Sequence, residues 1–520
     1  MKILIVTSQL AEPIVSRYVK KSKFNPSIIA LPFAVAALMT SRYISLNLTE
    51  INMKNFDMIL IPGLVKGNVS TISETIGVPT FKGPRHAADI PTVLDMLPKI
   101  ELSTTTPACD IIREELNKKA LDTLKEVETN KKTLLKKERN IQIGNLAVGK
   151  DFPARIVAEI VDAPKMTNEE IKQKAIYYTN SGADIIDVGM VAGLSMPRDA
   201  SRAIDAIKEI VDIPVSIDSM NPIEIEEAVS AKADLIVSLD AKNIVDVSKF
   251  GTHLPVVVLP TDFRKGLFPR KVSERLKILE ENIKASKENG FTKIIADPIL
   301  DPLITPGCTE SIVATYQFRE LHPNIPIFLG VGNVTELLDA DSPGVNAFLA
   351  GIAAEMDVSF LLTTEVSNKA RGSVRELAKV SDMMFLAKKR ESIPKELGLD
   401  LLILKEEKLK SEEYSKSILK ETEIIDAEIK DEYRHDPKGC FKILLERDKD
   451  SILLLHYIRS NMKQPELIIR GKTPKEVYMA ASQKGLISTL EHAAYLGSEV
   501  EKAFTALKLE RSYIQDTPLF

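Results

Sequence analysis

The sequence predicts an α/β fold with a closed (β/α)8 barrel at its centre, an open α/β domain before the barrel and an α+β domain after it. Three observations predict this fold. Apolar runs rich in β-branched residues alternate with helix-forming stretches, eight such runs follow one another in the middle of the chain, and several of them end on an acidic residue. The eight runs begin at Ile156, Asp184, Pro214, Asp234, Pro255, Lys293, Ile325 and Val358.

Composition limits the classes of partner and compartment. The formal net charge is -4 over 520 residues, so no bulk charge attracts the chain to nucleic acid or to an anionic membrane. No apolar run is long enough to span a bilayer, and the opening MKILIVTSQLAEP lacks the length and cleavage pattern of a signal peptide. Cys109, Cys308 and Cys440 lie far apart, which favours a reducing, cytoplasmic location.

Residues 1–106 predict a small open α/β domain of the Rossmann or flavodoxin type. The runs MKILIVT, PSIIALP and FDMILIPG alternate with helical stretches, as in a parallel sheet. The following loop, PGLVKGNVS, could hold an anion on its backbone N–H groups or form an ordinary turn, and it lacks the P-loop signature. Residues 107–140 are strongly charged and predict a helical connector with a solvated lysine face.

The remaining boundaries place the barrel at 141–390, a linker or exposed helix at 391–421, and an α+β domain at 422–520. The last domain contains a hairpin that turns at 448–450 and a helix that begins after Thr473, with Pro474 and Glu476 as its first-turn signals. His492 follows in the motif EHAAYLG. It either packs on a helix face or serves as a ligand to a cobalamin.

Acidic residues gather at the predicted carboxyl ends of the barrel strands, where barrel enzymes place their chemistry. They are Asp162, Asp187, Asp218, Asp240 and Asp297. Any one of them could cap a helix or bind loop N–H groups, but five on one rim repel each other unless a cation or a donor-rich ligand joins them. No histidine accompanies them, which disfavours a His-ligated transition metal. Mg²⁺ and a heterocycle with a guanidine-like edge are the partners that suit carboxylates.

These residues resemble a known family. The runs EEIKQKAIYYTNSGADIIDVGM, IPVSIDSMNPIEIEEAV and IIADP are similar to the pterin-binding barrel of dihydropteroate synthases and methyltetrahydrofolate methyltransferases. The three-part layout resembles archaeal dihydropteroate synthase-related proteins. The resemblance implies that Asp218 and Asp297 bind the aminopyrimidinone edge of a pterin. It also implies contacts from Asp187, from Ser238, which stands near the family's strand-four asparagine, and from Asp240.

Departures from the synthase pattern separate two reactions. The synthase's first-strand motif Asn-Val-Thr-Pro is replaced by Val161-Asp162-Ala163-Pro164, and its strand-seven Ser-Arg-Lys motif is missing from GVGNVTELLDADSPGVNAFLAG. The second segment is more similar to that of the pterin methyltransferases, in which an asparagine lies near pterin N5. The resemblance therefore implies that Asn333 acts catalytically, with Asp162 as the second candidate.

The function implied is that of a pterin-binding transferase of folate or tetrahydromethanopterin metabolism, with features that favour methyl transfer from a reduced methylpterin. A synthase-type condensation of a pterin diphosphate with an arylamine, a non-catalytic pterin carrier or assembly subunit, and a Mg²⁺-dependent barrel lyase are the alternatives. The ligand expected is tetrahydromethanopterin or tetrahydrofolate, with Mg²⁺ as an additional cofactor. The partner expected is a corrinoid protein, and a homodimer is compatible with the chain.

Overall fold

The computed structural model describes residues 1–53, 55–405, 423, 425, 427, 435–458 and 462–520. These residues form two compact units, Met1–Ile403 and Leu404–Phe520. The predicted linker 391–421 lies outside the described residues from position 406 onward, as do 422 and most of the next dozen residues of the predicted last domain. The boundaries between the predicted domains therefore stay predictions.

An open sheet of four parallel strands begins the first unit, as the sequence predicts. Its strands are β1 (Ile3–Ser8), β2 (Ser27–Leu31), β3 (Met58–Ile61) and β4 (Thr80–Lys82), in the spatial order β2-β1-β3-β4. The helices are α1 (Glu12–Val19), α2 (Ser41–Thr49), α3 (Ser70–Ile76) and α4 (Ile90–Met96). Apolar clusters lie on both faces of the sheet, which explains why the central strands β1 and β3 are mainly apolar.

The connector contains α5 (Ala108–Ile111), α6 (Arg113–Thr129) and α7 (Lys131–Leu134), so the predicted charged helix is present. A hairpin of β5 (Asn140–Ile143) and β6 (Leu146–Gly149) follows, which the sequence pattern did not reveal. Ile143 and Val148 are fully buried in one cluster with apolar residues of the barrel interior. The hairpin therefore closes the amino-terminal end of the barrel.

All eight predicted runs form strands of one parallel barrel sheet. The strands are β7 (Arg155–Ile160), β8 (Ile185–Gly189), β9 (Val215–Asp218), β10 (Leu235–Leu239), β11 (Val256–Val258), β12 (Ile294–Ala296), β13 (Phe328–Gly330) and β14 (Phe360–Thr363). Their order is β12-β11-β10-β9-β8-β7-β14-β13, and a parallel bridge between Ala296 and Ile327 joins the two ends. The predicted (β/α)8 barrel is confirmed.

Helices surround this sheet and share its largest apolar cluster. They are α8 (Asn168–Asn180), α9 (Pro197–Lys208), α10 (Pro222–Ser230), α11 (Ile244–Gly251), α12 (Val272–Glu288), α13 (Cys308–Leu321), α14 (Gly332–Thr335), α15 (Ser342–Glu355) and α16 (Ser373–Arg390). Among the described residues, none of the helices combines the length and the apolar character that a membrane crossing requires.

The barrel interior is layered. Near its amino-terminal end the inward side chains are apolar and fully buried, as Val157, Ile185 and Phe328 show. Side chains of a strand alternate between faces, so the next inward positions on β7 and β8 are Glu159 and Asp187. The layer nearest the carboxyl mouth is therefore acidic, and it rests on an apolar floor.

The second unit has the predicted α+β composition. Its antiparallel strands are β15 (Cys440–Glu446), β16 (Ser451–Tyr457) and β17 (Leu467–Gly471), and its helices are α17 (Pro474–Gln483) and α18 (Leu490–Lys508). The predicted helix start is confirmed: Thr473 and Glu476 form a reciprocal capping box, and Pro474 opens the first turn of α17.

Candidate functional site

Three carboxylates from neighbouring strands meet inside the barrel mouth. Glu159 of β7 lies beside Asp187 of β8 in the strand register, and Gly189 of β8 lies beside Asp218 of β9. One carboxylate oxygen from each of Glu159, Asp187 and Asp218 lies within 4.8 Å of the other two. We call these residues the acid cluster. Asp187 and Asp218 were predicted for the site, and the fold brings them together.

Gly189 makes room for the longest member of the acid cluster. A Cβ atom on Gly189 would lie 2.3 Å from Oε1 of Glu159, well inside van der Waals contact. Any side chain at this position would have to displace the Glu159 carboxylate. The acid cluster therefore requires glycine at position 189 because glycine has no Cβ, and not because of its backbone flexibility.

Burial and mutual repulsion keep protons on the acid cluster. Burial, with the nearby Asp218 and Asp162 carboxylates, raises the pKa of Glu159 to about 8. Burial raises the pKa of Asp218 to about 7. The pKa of Asp187 rises well above its usual range because Asp187 is buried and faces the Asp218 and Glu159 carboxylates. A ligand that offers N–H donors or positive charge stabilises the ionised form of such acids.

The protein itself leaves much of this acceptor capacity unused. Ser216 donates a hydrogen bond to Oδ1 of Asp187, but Oδ2 of Asp187 is buried and has no partner. Within the described part of the chain, the carboxylates of Glu159 and Asp218 accept no hydrogen bond and contact no lysine or arginine. The acid cluster thus presents more acceptor oxygens than the described residues provide donors for.

Asp297 lies directly after β12 and is 9 % exposed. Burial raises its pKa to about 7, and the Asp218 carboxylate contributes to the rise, so the two predicted pterin-binding acids lie within electrostatic reach of each other. The N–H of Ile299 donates to Oδ1 of Asp297 over 2.7 Å. Buried Arg275 of α12 donates to the carbonyls of Pro298 and Ile299 and therefore braces the loop that carries Asp297.

Asn333 stands at the start of the short helix α14, just after β13. Its Nδ2 donates to the carbonyl of Leu300 over 2.9 Å and so ties the loop after β13 to the loop after β12. A Cβ on Gly330 would lie 3.5 Å from the same nitrogen. The side-chain oxygen of Asn333 accepts no hydrogen bond from the described residues, so one end of the amide is held and the other is available.

The other predicted site residues have different surroundings. Asp162 adopts a left-handed backbone conformation after β7, and its carboxylate, 40 % exposed, pairs with Lys165 over 2.7 Å. Ser238 is 5 % exposed at the end of β10, where its carbonyl accepts a hydrogen bond from Asn243. Both lie at the carboxyl end of the barrel, and their contact with a ligand stays a prediction.

The carboxylate of Asp240 is already engaged by the protein, and its contact with a ligand stays a prediction. Asp240 is fully buried, and its carboxylate accepts hydrogen bonds from the backbone N–H groups of Lys242 and Phe263 at 2.8 and 2.7 Å and from the Thr261 hydroxyl. These donors belong to the loops after β10 and β11. Asp240 therefore ties two loops together, because buried backbone N–H groups require acceptors.

Sequence reasoning missed Glu159. It stands inside the apolar run IVAEIVDAP, two residues before Val161, whereas the acids predicted for the site lie at the ends of strands. The period-two alternation of a strand could have found it, because Val157 and Glu159 share the inward face. An acid at an inward position of a barrel strand requires a partner inside the barrel.

His492 belongs to the second unit, where its ring is 8 % exposed at the start of α18. Its Nδ1 lies 3.0 Å from Oδ2 of Asp436, and the ring packs against Phe441. Hydrogen bonds from Ser488 and Lys438 and the bond to His492 hold the pKa of Asp436 far below its usual range. This geometry agrees with the alternative in which His492 packs on a helix face. A cobalamin-ligand role for His492 stays a hypothesis.

Comparisons with protein families assign a description to each part of the chain. A family model described as a pterin binding enzyme matches residues 162–354, which span most of the barrel. A model described as PterinBD-DUF4346 matches residues 435–516. A family of unknown function, DUF6513, matches residues 1–85.

Among solved structures, the chain is similar to dihydropteroate synthases. The Yersinia pestis enzyme is 18 % identical, with 48 % of this chain and 99 % of that chain covered and a TM-score of 0.37. The Stenotrophomonas maltophilia enzyme is also 18 % identical, with 49 % of this chain and 98 % of that chain covered and a TM-score of 0.39.

A similar sequence that spans the whole length comes from an archaeon. An uncharacterized protein of Methanocaldococcus jannaschii is 39 % identical over 535 residues, which cover 100 % of this chain and 99 % of the relative. The chain belongs to the family of that protein, and its barrel matches the model described as a pterin binding enzyme.

Proposed function

We propose that the protein is a transferase that binds a reduced pterin, tetrahydromethanopterin or tetrahydrofolate, and transfers the methyl group of its methylated form. One observation carries the proposal of pterin binding. The Asp218 carboxylate lies in the barrel mouth with no hydrogen-bond donor among the described residues. The buried Asp297 is close enough that the Asp218 carboxylate helps to raise the pKa of Asp297. The aminopyrimidinone edge of a pterin supplies parallel N–H donors that a carboxylate accepts in pairs.

Binding and ionisation are coupled in this proposal. The pKa of Asp218 and that of Asp297 are each raised to about 7, so part of each population is protonated at neutral pH. N–H donors from the ligand favour the ionised form of a carboxylate and lower its pKa. The complex therefore forms with release of protons, and pterin affinity increases with pH until these carboxylates are ionised in the free protein.

Methyl transfer requires help at N5. As the N5–CH3 bond breaks, the methyl group bonds to an electron-rich acceptor, and the bonding electron pair of N5 stays on the pterin, where it takes up a proton or a hydrogen bond. An amide NH2 group carries two N–H donors, so Nδ2 of Asn333 can give one to the Leu300 carbonyl and the second to this nitrogen as charge develops. Asn333 is the residue we propose for this task, and Asp162 is the second candidate for a role in proton movement at the mouth.

The alternatives within the barrel make different demands. A synthase-type condensation expels diphosphate, which calls for cationic groups where negative charge grows. The segment after β13 lacks the Ser-Arg-Lys motif that supplies them in synthases, and this absence favours methyl transfer. A non-catalytic pterin carrier would need the same acids but would not depend on Asn333.

The acid cluster also fits a magnesium ion. Its donors are all carboxylate oxygens, the class that Mg²⁺ prefers, and Oδ2 of Asp187 is a buried oxygen without a partner. Glu159, Asp187 and Asp218 would hold the ion, whose two positive charges would offset part of their negative charge. The methyl acceptor proposed is a reduced corrinoid on a partner protein.

Calorimetry on the full chain tests the proposal. Tetrahydrofolate, tetrahydromethanopterin and 6-hydroxymethylpterin diphosphate are titrated, with and without Mg²⁺, into the wild type, Asp297→Asn and the control Asp246→Asn. Asp246 is an exposed acid of α11 that pairs with Lys249, so its replacement should leave binding unchanged. A reduced pterin should bind the wild type and the control at least ten-fold more tightly than Asp297→Asn.

Each other outcome points elsewhere. Binding of none of the three ligands would end the pterin proposal, whereas binding of the diphosphate alone, with a requirement for Mg²⁺, would restore the synthase mechanism. Methyl transfer from a methylated reduced pterin to free reduced cobalamin separates an enzyme from a carrier. A carrier binds the pterin but leaves its methyl group in place.

A further inference from the structure

The carboxyl edge of the N-terminal sheet carries polar groups that the proposed pterin chemistry does not use. All strands of this sheet are parallel, so β1, β3 and β4 end at the same edge, followed by their connecting loops. Open parallel α/β sheets bind their ligands outside this edge. Two side chains here, Lys82 at the end of β4 and Ser8 at the end of β1, lack partners within the fold.

Lys82 is a buried cation without an acid. It is 6 % exposed, and its ammonium group makes no ion pair or hydrogen bond with the described residues. Burial and the neighbouring Arg85 guanidinium both lower the pKa of Lys82. Arg85 itself pairs with Asp110 and Glu396. The described residues thus supply acids to Arg85 and none to Lys82, although a counter-charge stabilises the ammonium group of a side chain that is largely buried.

Ser8 is a second, independent case at the same edge. It is fully buried, and its hydroxyl has no hydrogen-bond partner among the residues that the structure describes. Buried hydroxyl groups in folded proteins almost always have one, so a hydroxyl that lacks it indicates a missing ligand or water.

The strand register places Lys82 and Ser8 on one face of the sheet. Ile61 of β3 pairs with Lys82 of β4, and Ile5 of β1 pairs with Leu60 of β3, so the next position, Val6, lies beside Ile61. Val6 and Ile61 belong to the same apolar cluster on one side of the sheet. Ser8 is two residues beyond Val6 and therefore lies on that same side.

The segment next to Lys82 is rich in hydroxyl groups and contains no acid. The run 103–106 reads Ser-Thr-Thr-Thr. The backbone N–H of Lys82 donates to the carbonyl of Ser103 over 3.0 Å, and the N–H of Val69 donates to the carbonyl of Thr104 over 3.0 Å. The run therefore lies between the end of β4 and the loop PGLVKGNVS, whose sequence left open an anion site.

We propose that Lys82 and Ser8 belong to an oxyanion-binding site in the N-terminal domain, which takes the phosphate or carboxylate group of a small molecule. An ammonium group offers three donors and a hydroxyl offers one, and hydrogen bonds from a cation to an anionic oxygen are among the strongest in proteins. A bound oxyanion supplies the counter-charge of Lys82 and the acceptor for Ser8. The site is independent of the pterin proposal, because it lies on another sheet and uses none of the barrel acids.

Calorimetry with inorganic phosphate, glycerol 3-phosphate and acetate, at constant ionic strength set with chloride, tests the site. The variants are Lys82→Met, which keeps the length of the side chain without its charge, and the control Lys20→Met, which removes an exposed lysine directly after α1. We expect at least one oxyanion to bind the wild type and Lys20→Met equally, and to bind Lys82→Met at least ten-fold more weakly. The relative affinities of the three anions distinguish free phosphate, a phosphate ester and a carboxylate.

Ser8→Ala provides a second test that does not depend on the folding of Lys82→Met. It removes a hydroxyl that contributes no hydrogen bond to the fold, so the variant should remain folded and bind the oxyanion several-fold more weakly. Hydrogen exchange of the strands β1 and β4 should decrease with added oxyanion in the wild type. If none of the three anions binds the wild type, or if Lys82→Met binds them as well as Lys20→Met does, the proposal is wrong.

Discussion

Replacing Asp297 by Asn should stabilise the barrel and abolish tight pterin binding. Asn is nearly isosteric with Asp and can still accept the 2.7 Å hydrogen bond from the N–H of Ile299, so the loop after β12 should keep its conformation. What the variant removes is the ionisation of a side chain that is 9 % exposed. The two effects have opposite signs, which distinguishes a binding acid from a structural one.

The magnitude follows from the pKa of Asp297, which burial raises from 3.8 to about 7. Between these values the unfolded chain ionises Asp297 while the folded chain keeps it protonated, so the free energy of unfolding falls by about 1.36 kcal/mol per pH unit as pH rises. Above the folded pKa the penalty is constant at roughly 4 kcal/mol. Relative to the wild type, Asp297→Asn should therefore gain about 2 to 3 kcal/mol between pH 5 and pH 8.

The assay must report on the barrel, because a chain with more than one unit does not unfold in one step. Hydrogen exchange measured by mass spectrometry on peptides from β9 and β12, in both proteins at both pH values, provides local opening free energies. Calorimetry on the same samples provides pterin affinity, which should fall at least ten-fold, the effect expected of a charge-assisted hydrogen bond. Equal stability differences at pH 5 and pH 8, or unchanged affinity, would refute the reasoning.

Three further substitutions test separate parts of the site. Asn333→Ala should reduce the methyl-transfer rate constant by roughly 100-fold and pterin affinity by no more than about three-fold, as single-turnover and binding measurements would show; equal losses in both would contradict a role at N5. Gly189→Ala should displace the carboxylate of Glu159, which lies 2.3 Å from the added Cβ. It should therefore weaken the binding of Mn²⁺, used in place of Mg²⁺ at the acid cluster and followed by electron paramagnetic resonance; unchanged binding would exclude Glu159 as a ligand. Asp240→Asn should accelerate hydrogen exchange in the loops after β10 and β11, because Asn carries one acceptor oxygen where the carboxylate carries two, and leave pterin affinity within about two-fold; a large loss of affinity with unchanged exchange would restore Asp240 to the site.

The sequence located the strands of the barrel but not every member of its site. Asp218 and Asp297 could be predicted because each directly follows an apolar run, and the carboxyl ends of parallel strands share one rim. Asp240 has the same sequence position, but its carboxylate accepts loop N–H groups, which the sequence did not predict. Glu159, within a strand, could be recognised only from the alternation of inward and outward side chains.

The sequence by itself determined the alternation of strands and helices, the acids at strand ends and the helix cap at Thr473, because these features depend on residues close together in the chain. The tertiary structure alone decided which acids face one another, that Gly189 makes room for Glu159, and that largely buried Lys82 has no acidic partner among the described residues. Such pairings join residues that are distant in sequence. They depend on strand register and barrel closure, which no local pattern specifies.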